Sequence, residues 1–345
     1  MGGFEMNDSA RSDKGPWVKD LKPGSRFVGV FLARDATLES FRQPSRGNYL
    51  RLNLRDRTGW LPARLWENPE RMACLLEKPT AVKLEGEVEM YRQRPQVRIL
   101  RIRVAKEDEY DLAELIPFTE RDLDAMMKAV DAEVTALEDP HLSALVRSFY
   151  ADPDFRHRFA EAPASLHLHH PYQGGLLEHV YETLALSKPI FNLFPEIDRG
   201  LLTAGILLHD LGKLEEYHWQ PDIEMTDDGR LLGHVMLGAE MVAAAIEKIS
   251  GFPKQLATCL QHMMLSHHGR YDWGSPRLPM TLEAAALHHL ENMDAQLSLF
   301  RVLLREAKEQ GKTWTRYQRL LQRSLFAPPE TSDSPSDSPA EQSGE

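Results

Sequence analysis

The chain has 345 residues, of which 42% are hydrophobic and 27% charged, a balance that suits two globular domains rather than a fibrous or disordered chain. No run of about 18 uninterrupted apolar residues occurs, so no helical membrane span is expected, and Cys74 and Cys259 are too few and too distant for a disulfide framework, which fits a reducing cytoplasm. The net charge of −11 is unevenly spread: residues 17–106 hold 19 Lys and Arg against 10 Asp and Glu, and a basic module joined to an acidic one points the first toward a polyanion.

Residues 1–16 read as a disordered leader without the apolar stretch of a secretory signal. Residues 17–106 read as strands and turns. "RFVGVFLA" is an apolar strand behind the turn Pro23-Gly24. "NYLRLNLRD" alternates, with Leu50, Leu52 and Leu54 on one face and Tyr49, Arg51, Asn53 and Arg55 on the other. A turn at Thr58-Gly59 leads into a strand with Trp60 and Trp66. "AVKLEGEVEMY" and "QVRILRIRVA" follow, the last changing phase near Ile99-Leu100 as a bulge does. Five short strands with a helix near Pro69–Leu76 suggest a small barrel of the OB type, with an SH3-like barrel left open by periodicity alone. The outward residues Tyr49, Arg51, Arg55, Trp60, Arg64, Trp66 and Arg101 mix cations with aromatics, as single-stranded nucleic acid requires. For each tryptophan, burial in the core is an equal alternative.

Residues 107–121, "EDEYDLAELIPFTER" with Pro117 inside, read as a linker with a solvated acidic run. Residues 122–326 read as helical, broken by loops at Asp152-Pro153, Gly174-Gly175, Asp227–Gly229 and Gly274–Pro276. The acidic, Ser- and Pro-rich residues 327–345 read as a disordered tail.

All 14 histidines fall between His141 and His289. His179 sits on the amphipathic "GGLLEHVYETLAL". His209 and Asp210 end the apolar run in "GILLHDLGK". His234 begins "GHVMLGAEMV", His267 and His268 end a helix in "LSHHGRYDWGSP", and Asp294 lies within "LHHLENMDAQL". Imidazole nitrogen and carboxylate oxygen together suit borderline divalent ions such as Mn, Fe, Co, Ni and Zn. No local pair has zinc-finger spacing, so several helices of a bundle must assemble the site. Lys213, three residues after Asp210, is placed either to neutralise a phosphate oxygen or as a surface lysine at a helix end. His167, His169 and His170 are candidates for the pocket mouth. His218, His262, His288 and His289 are read as packing residues.

The order H … HD … H … HH … D resembles the HD superfamily of metal-dependent phosphohydrolases. That resemblance implies one ion on His179, His209, Asp210 and Asp294, with Asp210 bridging to a second ion on His234 and His267, His268 or both. It also favours a catalytic role for Lys213 beside Asp210. Together with "GNYLRLNLRDRTGWLPARLW" and "QVRILRIRV", these motifs over residues 17–320 resemble the YhaM-type 3'-5' exoribonucleases. The resemblance implies an OB fold joined to an all-α HD domain that degrades single-stranded RNA, and often DNA, from the 3' end with divalent ions, commonly Mn or Co. Two alternatives stand beside it: hydrolysis of a small nucleotide or cyclic dinucleotide, and a catalytically silent nucleic-acid-binding regulator.

Overall fold

The computed structural model describes residues 14–41, 43, 47–92, 94–166, 169–219 and 222–329. β1 (Arg26–Ser40), β2 (Asn48–Asp56), β3 (Gly59–Leu65), β4 (Thr80–Tyr91) and β5 (Arg94–Val104) close into a barrel, with α1 (Pro69–Leu75) between β3 and β4. The order is β1-β2-β3-β5-β4, antiparallel except for the parallel β3–β5 closure. This Greek-key path is that of the OB type rather than the SH3-like alternative. Leu50, Leu52 and Leu54 all point into the barrel core, as their alternation requires. Pairing passes from Glu85↔Arg101 to Gly86↔Ile99, so Leu100 is the extra residue of a bulge in β5. The strands are not uniformly short. β1 has 15 residues and β4 has 12, because each must tilt round the closed barrel and pair on both edges.

The edges of the barrel depart from the expected leader and linker. Lys14 is buried, and its ammonium lies 2.9 Å from the buried Asp56 carboxylate. Its carbonyl accepts from Val30 at 2.6 Å. A cation taken out of water needs such a partner, so residues 14–16 belong to the barrel, while 1–13 lie outside the described residues. The expected linker is a packed clasp. Within it α2 (Leu112–Leu115) helps seat Leu115 and Ile116 against Val30, Leu32 and Ala81. Glu109, in the acidic run, accepts from Lys83 and Arg103.

The helical half contains α3 (Leu123–Thr135), α4 (Pro140–Tyr150), α5 (Pro153–Glu161), α6 (Gly175–Leu193), α7 (Arg199–Leu208) and α8 (Lys213–Glu216). A small hairpin, β6 (Tyr217–His218) and β7 (Glu224–Met225), follows. Then come α9 (Asp227–Leu231), α10 (Gly233–Glu247), α11 (Lys254–Ser266) and α12 (Leu282–Glu309). Asp122, Asp139, Asp152 and Asp198 each accept backbone N–H groups at the start of a helix. Such caps satisfy donors that the first turn leaves unpaired. α7, "RGLLTAGILL", is buried from Leu201 to Leu208 and forms the centre around which α4, α6, α11 and α12 pack.

The helical character stops at Glu309, short of the expected Phe326. Residues after Gly311, which has φ +65°, fold back through the bridges Trp314↔Phe326 and Gln318↔Arg323. Ala327 is buried and donates to Thr313, so the described start of the expected tail is anchored, and 330–345 lie outside the described residues. Among the described residues, no helix is long and apolar enough to cross a membrane.

Candidate metal centre and nucleic-acid face

Asp210 leaves the end of α7 into the turn Leu211-Gly212 that opens α8. An added Cβ at Gly212 would meet the carbonyl of His234 at 2.0 Å. Glycine is therefore what lets α10 cross this turn and bring His234 beside Asp210. α6 supplies His179, the end of α11 supplies His267 and His268, and α12 supplies Asp294.

Five imidazoles are oriented by the same device, a fixed Nδ1. His209 Nδ1 meets the carbonyl of Ile206 at 2.9 Å, His267 Nδ1 that of Met264 at 2.7 Å, and His268 Nδ1 that of Trp273 at 2.8 Å. His179 Nδ1 meets Asp294 Oδ2 at 2.6 Å, and His234 Nδ1 meets Glu216 at 3.0 Å. Each acceptor assigns the proton to Nδ1 and leaves a lone pair on Nε2. Those lone pairs converge. Asp210 Oδ2 lies 3.3 Å from His209 Nε2 and 3.6 Å from His179 Nε2. Asp210 Oδ1 lies 3.6 Å from His234 Nε2 and 3.8 Å from His267 Nε2. His268 Nε2 stands 3.1 Å from His234 Nε2, and His179 Nε2 stands 3.2 Å from His209 Nε2.

This arrangement tests whether cations fit. Asp210 Oδ1 and His267 Nε2 are buried without hydrogen-bond partners among the described residues. Lone pairs facing lone pairs in a dry site repel, and a cation between them removes the conflict. The donor atoms of His179, His209 and Asp210 lie within 4.8 Å of one another, as do those of His234, His267 and His268. One carboxylate thus stands between two clusters of neutral nitrogen donors, and the residues present fit divalent metal.

Asp294 sits at the other nitrogen of His179, in a third cluster with His170. His170 is fully buried, and its Nε2 lies 3.1 Å from the same Asp294 oxygen, with its Nδ1 2.7 Å from the Tyr172 hydroxyl. It belongs to the interior, not to a pocket mouth. His167 lies outside the described residues. Lys213 is not a surface lysine: it is buried, with Nζ 2.6 Å from Asp210 Oδ2. Burial opposes ionisation of Asp210, but Lys213 and His209 overcome it and hold the carboxyl well below the usual range. Burial likewise pushes Glu216 up, but the hydrogen bonds from His234 leave it lowered. Burial, reinforced by Asp210, pushes Glu291 up to about 8. Glu216 and Glu291 were missed as site residues, and His170 was expected at the pocket mouth rather than against Asp294. Glu216 had a visible signal, a carboxylate one turn past "HDLGK", whereas Glu291 has only its helical spacing to Asp294.

Among the expected packing histidines, His262 accepts from the Met280 N–H at 2.9 Å, and His288 donates to the His267 carbonyl at 2.8 Å. His218 lies in β6, and His289 rests against His288.

On the barrel, Arg51, Arg64 and Arg98 are successive cross-strand neighbours facing outward. Arg51 pairs with Glu39 at 2.7 Å, and Tyr49 donates to the same carboxylate. Arg64 lies over the rings of Tyr49 and Tyr91, 5.3 and 4.9 Å from their centroids. Trp60 is 62% exposed, and Trp66 is half-buried beside Arg98 and Glu89, so neither is a core residue. Arg101 projects into solvent, 3.8 Å from Glu85. Arg55 departs from this face. It lies 3.4 Å from the buried Asp222, to which Arg34 also pairs at 2.7 Å. Asp222 stands on the β6–β7 hairpin, so these two arginines tie the barrel to the helical half. Arg98 and Tyr91 join the outward face instead, and their strand alternation was the available signal.

The HD domain family matches residues 176–306, which span His179, His209, Asp210, His234, His267, His268 and Asp294. HD-domain hydrolases use divalent metal, in accord with the donor set found here. The chain is 34% identical over 284 residues to the 3'-5' exoribonuclease YhaM of Geobacillus sp. (strain WCH70), covering 81% of this chain and 86% of that protein. It is 33% identical to the protein of that name from Bacillus subtilis (strain 168), covering 81% and 88%. With the Shouchella clausii (strain KSM-K16) protein of that name it shares 32% over 315 residues, 90% of this chain and 96% of the relative. A cationic barrel, a carboxylate set among oriented imidazoles and this similarity over 81–90% of the chain agree: the chain belongs to the YhaM family.

Proposed function

We propose that the protein is a metal-dependent 3'-5' exoribonuclease that hydrolyses single-stranded RNA to nucleoside monophosphates in the cytoplasm, with single-stranded DNA as a second substrate. One observation carries the reading: five imidazoles with fixed Nδ1 protons aim Nε2 lone pairs around the two oxygens of Asp210. Two divalent ions, Mn first and Co, Fe, Ni or Zn by the same donor chemistry, are proposed at these positions. His179, His209 and Asp210 would hold one. Asp294, expected as a further ligand of this ion, is bonded to the far nitrogen of His179 and is proposed to orient that ring. His234, His267 and His268, with Asp210 beside them, would hold the other.

Bound there, the ions supply an activated water and neutralise charge on the phosphoryl group. The chain's own residues do the rest. Asp294, Glu216 and the carbonyls of Ile206, Met264 and Trp273 hold the Nδ1 of each imidazole and fix its ring so that Nε2 faces the metal positions. Lys213 holds Asp210 ionised and sets a buried positive charge where a phosphate oxygen develops negative charge.

The barrel, taken as running to Lys106, is proposed to bind the strand, and the helical region from Asp122 to cut it. Tyr49, Arg51, Arg64, Trp60, Trp66 and Arg101, with Arg98 and Tyr91, offer phosphate contacts and stacking faces. Along β2 and β3 this face runs from Tyr49 to Trp60, which is paired with Arg55 at the contact with the helical half. A polymer, not a mononucleotide, has use for such a row, and a tethered strand returns to the site at high effective concentration. A time course on 5'-labelled single-stranded RNA with Mn or EDTA tests the reading. A ladder shortening from the 3' end, absent with EDTA and in Asp210→Ala, is expected. RNA left intact under every divalent ion overturns it.

A further inference from the structure

A cavity of about 450 Å³ opens beside the metal centre, and neither the metal chemistry nor the barrel uses it. His268 and Glu291 form its wall toward Asp210. Trp273, Asn292, Gln296, Leu321 and Arg323 are among its other lining residues. Its size lies in the ~300–1,000 Å³ range of small-molecule sites. Two polar features border it. The Nε2 of His169 is shielded from solvent and has no hydrogen-bond partner among the described residues, although the residue lines this cavity. A buried polar atom left alone is costly unless a ligand meets it. The amides of Asn292 and Gln296, one helical turn apart on α12, bond to each other at 3.0 Å, which fixes their direction. The half-exposed indole of Trp273 adds an aromatic face. The outer wall comes from the segment after α12, where the Gln318↔Arg323 bridge turns Leu320 and Leu321 over the opening.

We propose that this cavity seats the 3'-terminal ribonucleoside of the strand, with its base against Trp273 and its ribose hydroxyls at His169 Nε2 and the Asn292–Gln296 amides. The inference rests on the exonuclease reading. A nuclease that removes every base in turn cannot depend on one base edge. Stacking accepts all four, because every base has a π-face. Sugar hydroxyls are common to all four as well, and the 2'-hydroxyl both donates and accepts, which matches an unpartnered imidazole nitrogen beside two amides. The proposed metal positions adjoin through His268, which would place the phosphodiester preceding the seated nucleoside beside them. The cavity thereby sets which bond is cut, one nucleotide at a time, and prefers ribose at the end.

The test uses the full chain and 5'-labelled RNAs that differ only in the last nucleotide: normal, abasic, or 2'-deoxy. The rate of the first cleavage at low substrate is read for wild type, Trp273→Ala, His169→Ala and His169→Gln, with bound metal per chain measured for each. Wild type is expected to remove the abasic end about tenfold more slowly than the normal one. Trp273→Ala should remove both ends at the same reduced rate. His169→Ala should lose the preference for ribose over deoxyribose, and His169→Gln should restore part of it. Metal content should not change in any variant. Equal wild-type rates on normal and abasic ends, or variants that slow all three ends alike, overturn the proposal. In parallel, adenosine monophosphate is titrated into wild type and Leu321→Arg. If wild type cuts no RNA yet binds the nucleotide, and Leu321→Arg does not, the cavity stands and the exonuclease reading fails. If neither binds and no end is discriminated, the cavity proposal fails by itself.

Discussion

The two halves of the molecule hold their charges in opposite ways. On the barrel, Arg51, Arg64 and Arg98 form an outward row, held by a neighbouring glutamate or laid over tyrosine rings. In the helical half, Asp210, Lys213, His179, His209 and His267 are all buried within one cluster. Water screens the first set, so each charge there contributes little alone and the row acts as a sum. The second set has no water to fall back on, and each member depends on the others. This division suits a barrel proposed to bind many phosphates loosely and a helical half that holds a few groups rigidly.

That contrast breaks most sharply at Asp210. Asp210→Ala removes the oxygen donors shared by both clusters, and activity on RNA should fall on the order of 10³-fold or more. Removal of metal with EDTA should match it, and kcat measured at saturating RNA and metal checks the mutant. Glu216→Ala is next. His234 loses the carboxylate that fixes its Nδ1 proton, and apparent metal affinity should weaken by about 10–100-fold. A metal titration of activity should recover much of the rate at high Mn, which Asp210→Ala cannot do.

The seam between the halves gives an intermediate effect. Arg55→Ala leaves buried Asp222 with Arg34 alone, and unfolding in urea should show a loss of about 1–3 kcal/mol. RNA affinity at low salt should change less than stability does. The smallest effects belong to the exposed row. Arg51→Ala and Arg64→Ala should each leave the melting temperature nearly unchanged while weakening RNA binding a few-fold. Each should also flatten the slope of log affinity against log salt by about 0.7. A large stability loss in either variant, or an unchanged salt slope, would place these arginines with Arg55 instead.

Much of this was legible before any coordinates. The alternation of Leu50, Leu52 and Leu54 fixes which face of β2 is inside, because side chains in a strand repeat every second residue. The apolar run of α7 ending in His209-Asp210 marks a buried helix that delivers polar groups at its end, and the other site histidines come from α6, α10 and the end of α11. What stayed hidden depends on partners far away in sequence. Arg55 shares a strand face with Arg51, yet Asp222, 167 residues away, claims it. Lys14 has the composition of a leader, but its ammonium is paired to Asp56 inside the barrel. Lys213 is ambiguous by position, and only the fold shows that it is buried against Asp210. The roles of His170 and Asp294 on the far nitrogen of His179 follow from ring orientation, which spacing does not encode.

Counting bound metal tests the central claim most directly. Wild type, His209→Ala, His268→Ala and Asp210→Ala are dialysed against Mn and assayed for ions per chain. Two ions on wild type, the loss of a different one in each histidine variant, and the loss of both in Asp210→Ala are the predicted result. An Asp210→Ala protein that folds and keeps the wild-type metal content would contradict the placement of this carboxylate between two ions.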